Sequence, residues 1–538
     1  MRITLLIFLI LTKSLIFAQK SEITNLSKVW VSDNGDGTYK NPIIYADYSD
    51  PDVVRVGGCF YMTASSFNCV PGLPILQSYD LVNWTIIGHA INQQKPLNIY
   101  NKPQHGNGVW APCIRFHKNE FYIYYGDPDF GIYLVKARNA SGPWTEPVLV
   151  KEAKGWIDPC PFWDDNDSVY LVHAWAGSRA GIKSILTMNR MNSEGTKVTD
   201  AGSIIFDGHK NQPTIEGPKI YKRNGYFYIL APAGGVKMGW QLALRSKSIY
   251  GPYEEKIVMH QGNTPINGPH QGGWVETQTG ESWFIHFQDL EAYGRVVHLQ
   301  PMNWINDWPA IGVDSNNDGI GEPVLKNKKP EVGKVYPMVS PQTTDEFNSS
   351  ALGLQWQWHA NPNPNWGFPS TKGFFRLTAT PLPDSSFNFW DVPNLLLQKF
   401  MAPEFTATAK IIFNVHDNGE KTGLLIMGTD YSYISVQQQN GTLKVNQVAC
   451  LNADKKNQEN EIEKKQIKSN QIYLRVKVSN GGICNFFYSE NGGEFIPLGK
   501  RFIAKPGRWI GAKVGLFCES NRKIENPGYA DIDWFRIE

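Results

Sequence analysis

DPDVVRVGGCFYMTAS, residues 50–65, places a short apolar run, a Gly-Gly turn and a second run rich in aromatics one after another. β-Branched and aromatic residues bounded by turn formers read as a β-hairpin. The plan returns four times: WAPCIRFHKNEFYIYYG from Trp110, DPCPFWDDNDSVYLVHA from Asp158, EGPKIYKRNGYFYILAP from Glu216 and HQGGWVETQTGESWFIHF from His270. The five starting residues lie 60, 48, 58 and 54 positions apart. From each of them, 11 to 13 positions lead to the aromatic of the second strand: Tyr61, Tyr122, Tyr170, Tyr228 or Trp283. A third strand follows in ILQSYDLVNW from Ile75, YLVKARNASGPW from Tyr133 and LALRSKSIYGPY from Leu242. Units of about 50 residues with several strands each have the period of a propeller, so five of them predict a five-bladed β-propeller. No stretch before residue 340 carries a convincing helical period.

Outside the repeat, residues 19–40 form an N-terminal extension, and 41–335 make up the propeller. RVVHLQPMNWINDWPAIGVDSNNDGIGEP from Arg295 supplies its last strands and closure. A Pro- and Ser/Thr-containing linker spans 336–344. From 345 to 538, short alternating strands such as IYLRVKVSN and YADIDWFRIE predict a β-sandwich of jelly-roll, concanavalin-like type. The whole chain is therefore expected to be all-β. Its first 18 residues contain one Arg, an apolar run from Ile3 to Phe17 and a small residue, Ala18, in the pattern of a secretory signal peptide. Export to the periplasm or the extracellular space is the expectation. The run is short for a membrane span, and no other long apolar run follows. Lys and Arg number 52 against 50 Asp and Glu, all dispersed, which argues against nucleic acid as a partner. Seven scattered Cys form neither a disulfide framework nor a zinc-ligand spacing.

The chemistry follows from convergence. Inner strands of a propeller line its axis, so equivalent positions of different blades meet at one mouth. Asp50, Asp158 and Glu216 all open a unit, and all have Pro within two residues (DP, DP, EGP). An Asp before a strand is commonly a turn residue; three carboxylates at repeat-equivalent positions point to a site. Carboxylates alone suffice for glycoside hydrolysis, and a third one beside the acid raises its pKa. Neither GxSxG, HExxH nor a P-loop is present. With 18 Trp and 13% aromatics, the chain also has rings on which sugars can stack, although most will pack in the β core.

The motifs NPIIYADYSDPDVVR, GVWAPCIRF, GWIDPCPFW, TIEGPKIYK and YGRVV together resemble glycoside hydrolase family 43, a family of β-xylosidases and α-L-arabinofuranosidases, from about Asn41 to the end. The resemblance implies an inverting enzyme with Asp50 as general base, Glu216 as general acid and Asp158 as the residue that orients the acid and modulates its pKa. It also implies that Trp110 lines the sugar subsite, that Arg295 hydrogen-bonds the glycone and that His270 is an axial histidine, which in some relatives contacts a bound ion or its waters; Trp110, Arg295, His270 and Ile157 are the expected substrate-binding residues. The expected activity is exo-acting release of xylose or arabinofuranose from hemicellulose: xylan, arabinoxylan or xyloglucan side chains. An endo-acting arabinan hydrolase and a non-catalytic sugar-binding protein are the alternatives. Two departures from the family pattern, Cys113 after WAP and Ile157 before the modulating Asp, are expected to alter the sugar pocket.

No cofactor is required for this chemistry. Asp345 and Asp531, at the two ends of the sandwich, could bring carboxylates together for a structural Ca2+. DSNNDG from Asp314 resembles the start of a calcium loop but has Leu325 in place of the bidentate Glu, and so reads as a polar surface loop. Asp52 and Asp127, although in DP contexts, are off the repeat position and read as turn residues. LQWQWHANPNPNW from Leu354 is expected to pack in the core by default, with packing against the propeller or an approach to the active site as the alternatives.

Overall fold

The computed structural model describes residues 26–538. The leader expected over 1–18 lies outside the described residues. Among the described residues, no helix is long and apolar enough to cross a membrane.

Five four-stranded antiparallel sheets follow one another in sequence, each ordered from the inside outward. Their innermost strands are Asp52–Val56, Trp110–His117, Trp156–Trp163, Lys219–Arg223 and His270–Glu276. Turn chemistry sets the hairpins. Lys118-Asn119 and Asn224-Gly225 both have positive φ at the two loop positions, the pair of values that matches strand twist in a two-residue hairpin. The fifth blade ends with Arg295–Ile305 and Trp308–Ile311, the segment read as closure. The ring is sealed by the N-terminal stretch. Ile44 pairs with Val297, Asn41 exchanges hydrogen bonds with both backbone groups of Leu299 at 2.8 and 2.9 Å, and Thr38–Lys40 pairs with Lys326–Lys328.

The second unit is a sandwich of one eight-stranded and one seven-stranded sheet. Strand Gln471–Ser479 shows why: Ile472, Leu474, Val476 and Val478 are buried and alternate with more exposed residues, the period-two pattern of a half-covered sheet. Their partners across the core include Leu424, Ile426, Ile434, Val514 and Leu516. Each such side chain, fully buried, contributes roughly 1.5–3 kcal/mol. The segment from Leu354 joins the two units. Trp356 and Trp358 enter the sandwich core, and the backbone of Trp358 pairs with that of Val70 in the propeller.

The calcium expectation for the sandwich does not fit its carboxylates. Both oxygens of Asp531 are taken by Arg376, at 2.7 and 2.9 Å. Asp345 instead accepts from the amides of Phe347 and Gly353 and the indole of Trp356. Each is already satisfied by protein donors. Among the described residues no group of three or more His, Cys, Asp and Glu could hold a metal. Asp314 likewise spends its oxygens on the amides of Asp318 and Gly319, holding a surface loop.

Candidate active site

Where each inner strand begins, the chain turns sharply onto the axis. One residue per blade has positive φ there: Asp50 (53°), Ala111 (31°), Asp158 (57°), Gly217 (59°) and Gln271 (34°). Pro follows the first four. Asp tolerates this left-handed region better than most residues, and Gly adopts it freely. These five positions are the true equivalents, which corrects the register read from the sequence. Asp50 and Asp158 occupy the turn itself. Glu216 stands one residue before it, in the place of Ser49, Trp110, Ile157 and His270. An acidic residue marks these units in the sequence, whereas the backbone marks the turn.

The turns aim Asp50, Asp158 and Glu216 into one cavity of about 200 Å3, whose wall also includes Phe67, Trp110, Ile157, Trp175, Arg295 and Trp509. A tighter cavity of about 50 Å3 at the domain junction, lined by Trp30, Tyr48 and Lys399 among others, holds none of the three carboxylates.

Asp50 Oδ2 accepts from the Ser49 and Ser65 hydroxyls at 2.7 and 2.6 Å. Arg295 Nη1 lies 3.1 Å from its Oδ1. Three donor groups, one of them cationic, thus converge on the Asp50 carboxyl. Asp158 is 1% exposed and accepts the Gly217 amide at 2.7 Å. Burial, and then the Glu216 charge beside it, push its pKa up to about 8, against the pull of the Gly217 amide and Lys219. Glu216 is the most open of the three, with its side chain 30% exposed. Its Oε1 lies 2.8 Å from His270 Nε2; among the described residues Oε2 has no hydrogen-bond partner.

Family comparison agrees with this arrangement. The pattern of glycosyl hydrolases family 43 matches residues 39–309, and that of the β-xylosidase C-terminal concanavalin A-like domain matches 344–538. The chain belongs to glycosyl hydrolase family 43. A β-xylosidase of Formosa agariphila is 33% identical over 94% of this chain and 91% of the relative. A non-reducing end α-L-arabinofuranosidase of Bacteroides ovatus is 26% identical, covering 93% of this chain and 94% of its own length. The crystal structure of a family 43 protein from Bacillus licheniformis superposes with a TM-score of 0.81 at 26% identity, over 93% of this chain and 99% of that one. The protein is thus a glycosidase on a five-bladed propeller with a C-terminal sandwich.

Of the expected substrate-binding residues, Trp110, Ile157 and Arg295 lie on the pocket wall. His270 does not. It is fully buried behind Glu216 and touches that carboxylate of the neighbouring blade instead. Cys113 is also fully buried and off the wall, so it cannot contact the sugar. Asp52 is not a turn residue: it is a buried strand residue ion-paired to Arg115 at 2.7 Å. Asp127 does cap a turn, accepting the Asp129 amide at 3.0 Å.

Two further residues of the site carry no signal in the sequence. Trp509 comes from a sandwich loop, has φ 65° and stands edge-on to Trp110 with ring centroids 6.4 Å apart. Ser65, which bonds Asp50, also accepts the Ala111 amide of the next blade at 2.7 Å.

Proposed function

We propose that the enzyme is an exo-acting, inverting glycosidase that removes a terminal xylose or arabinofuranose from hemicellulose or derived oligosaccharides. In this reading Asp50 activates water, Glu216 protonates the leaving oxygen and Asp158 holds the acid in place and modulates it. One observation carries the reading: Asp50 and Glu216, on the non-adjacent first and fourth blades, line the same small cavity. Opposed carboxylates with room for a water between them are what single displacement requires. The cavity is smaller than the about 300–1,000 Å3 that engulfs drug-sized ligands, and Trp509 from the sandwich forms part of its wall. Both features favour a chain end over the middle of a polymer. The names of the two relatives support the pentose choice, and the apolar leader over 1–18 supports export.

The local bonding suits these roles. Asp50 Oδ2 is held by two hydroxyls, which leaves Oδ1 beside Arg295 to take the proton from water. If His270 donates Nε2–H to Glu216 Oε1, the acid presents Oε2 to the leaving oxygen. Proton NMR of the first-formed sugar, with an aryl β-xyloside and an aryl α-arabinofuranoside as substrates, tests the proposal. Inverted configuration on at least one of them is expected. Retained configuration, or turnover of neither, overturns it.

A further inference from the structure

The fifth blade sets an amide where two other blades set carboxylates of the site. Gln271 is its turn residue, the counterpart of Asp50 and Asp158. It is also the extra residue of a bulge, between the pairs His270–Phe287 and Gly272–His286. Asp158 lies in a corresponding irregularity, between Ile157–Ala174 and Cys160–Val172. Bulges beside active sites re-aim a side chain. Where the other blades have Pro after the turn, this one has Gly272, on which a Cβ would collide with the Ile285 carbonyl oxygen. The Gln271 side chain reaches the fourth blade: a Cβ on Gly217 would meet its Cγ and Cδ at 2.7 and 2.8 Å. Consecutive residues thus serve one place, His270 touching Glu216 and Gln271 lying over Gly217.

Gln271 lines the cavity and is 5% exposed. Its Oε1 is buried and, among the described residues, has no hydrogen-bond partner. Among the described residues of the cavity wall, no other carries such an atom. An unmet buried polar atom is costly and calls for a partner. Asp50, Ala111, Asp158 and Gln271 are all buried, whereas half of Trp509 is exposed. The turns therefore form the base of the cavity and Trp509 its mouth, and a sugar that reaches the base is a chain end. The fifth blade stands between the fourth and the first, so Gln271 flanks a sugar held between Glu216 and Asp50. We propose that Gln271 is a substrate-binding residue whose carboxamide hydrogen-bonds one hydroxyl of the terminal pentose. The proposal rests on the exo-acting reading above and adds a residue to it. An amide offers an acceptor and donors without a further negative charge beside Glu216 and Asp50. A half-turn of the carboxamide exchanges its two ends, and a hydroxyl, which both donates and accepts, meets either.

The experiment compares the full-length enzyme with its Gln271→Met variant, whose side chain fills similar space without a hydrogen-bonding amide. The substrates are the two aryl pentosides named above and the same glycosides lacking one sugar hydroxyl at a time, with kcat/KM as the readout. The parent enzyme should discriminate against one deoxy sugar by about 5- to 150-fold, the scale of leaving one buried polar group unmet. In Gln271→Met that discrimination should shrink about 5-fold or more, while the ratios for the other hydroxyls stay as in the parent. Ratios unchanged for every hydroxyl overturn the role of Gln271 alone. That includes an equal drop in kcat/KM on all substrates, which marks a structural effect. A parent enzyme that turns over neither pentoside overturns the reading above and the role of Gln271 with it. If Gln271→Met does not fold, Gln271→Asn carries the same comparison, because Asn tolerates the left-handed turn better and withdraws the amide by one methylene.

Discussion

Exposure grades the three carboxylates: Asp158 is sealed, Asp50 nearly so, and Glu216 is open along one edge. In the proposed mechanism, the group that must be reprotonated every turnover is the one that meets solvent. Glu216→Gln keeps the shape and the amide can still face His270, but it has no proton to give. Activity on a natural disaccharide, with its poor leaving group, should fall by about 100- to 10,000-fold, the usual scale of general acid catalysis. Activated aryl glycosides should retain much more. Parallel kcat/KM measurements on the two substrate types check this, and an equal loss on both counts against Glu216 as the acid. These three residues were legible because Pro accompanies each of them in a repeat. Ser49 and Ser65 were not, since a hydroxyl that holds a carboxylate in place leaves no spacing behind.

At the scale of elements, the loop ahead of sandwich strand Lys513–Ser520 puts Trp509 into the pocket, its ring 5.8 Å from the Arg295 guanidinium and edge-on to Trp110. Half of Trp509 is exposed, so little folding energy depends on it. Trp509→Ala should raise KM roughly 3- to 10-fold, corresponding to about 0.5–1.5 kcal/mol of ring contact, and leave the melting temperature unchanged. A KM equal to that of the parent would remove Trp509 from the substrate's surroundings.

The fifth blade makes a different prediction. His286 is fully buried; its Nδ1 meets the Phe287 carbonyl at 3.1 Å and its Nε2 meets the Gln300 amide nitrogen at 3.1 Å. With Nδ1–H donating and Nε2 accepting, the neutral ring is satisfied on both sides. A cation would set N–H against N–H. Burial lowers its pKa to about 4 from 6.5. Stability from the neutral ring is therefore present above about 6.5 and is lost as pH falls from there toward about 4. His286→Gln should show a shallower loss between these values, by up to about 1.4 kcal/mol per pH unit. Denaturant titrations at pH 7 and pH 5 measure it; slopes identical to the parent's would mean that the ring does not titrate with unfolding.

On the scale of the whole molecule, the two units share a core. Ala292, Tyr293 and Val296 of the propeller belong to the hydrophobic cluster of the sandwich. The Tyr293 hydroxyl donates to the Pro403 carbonyl at 2.8 Å and accepts the Gly482 amide at 3.1 Å. Asp47 links the junction to the site, accepting the amides of Arg295 and Gly511 at 2.9 and 3.0 Å. Tyr293→Ala should cost about 3–5 kcal/mol, the range for deleting a buried aromatic, and should weaken catalysis because Arg295 and Trp509 flank that junction. Calorimetry with activity measured at the same temperatures tests both parts. An unchanged transition would show that the interface carries no stability.

The sequence by itself determined the blade count, the sandwich and which three carboxylates meet in one pocket. All of these rest on local pattern: strand alternation, turn residues and a repeated period. Tertiary structure alone decided the register of Glu216 relative to the two aspartates, because positive φ is a property of backbone path and both Asp and Gly can adopt it. It moved His270 from the sugar to the acid, and it turned Asp52 from a turn residue into half of a buried ion pair. It also brought Trp509 to a pocket formed about 400 residues earlier in the chain. Contacts between side chains that are distant in sequence depend on how blades and sandwich pack, and no periodicity within either unit encodes that packing.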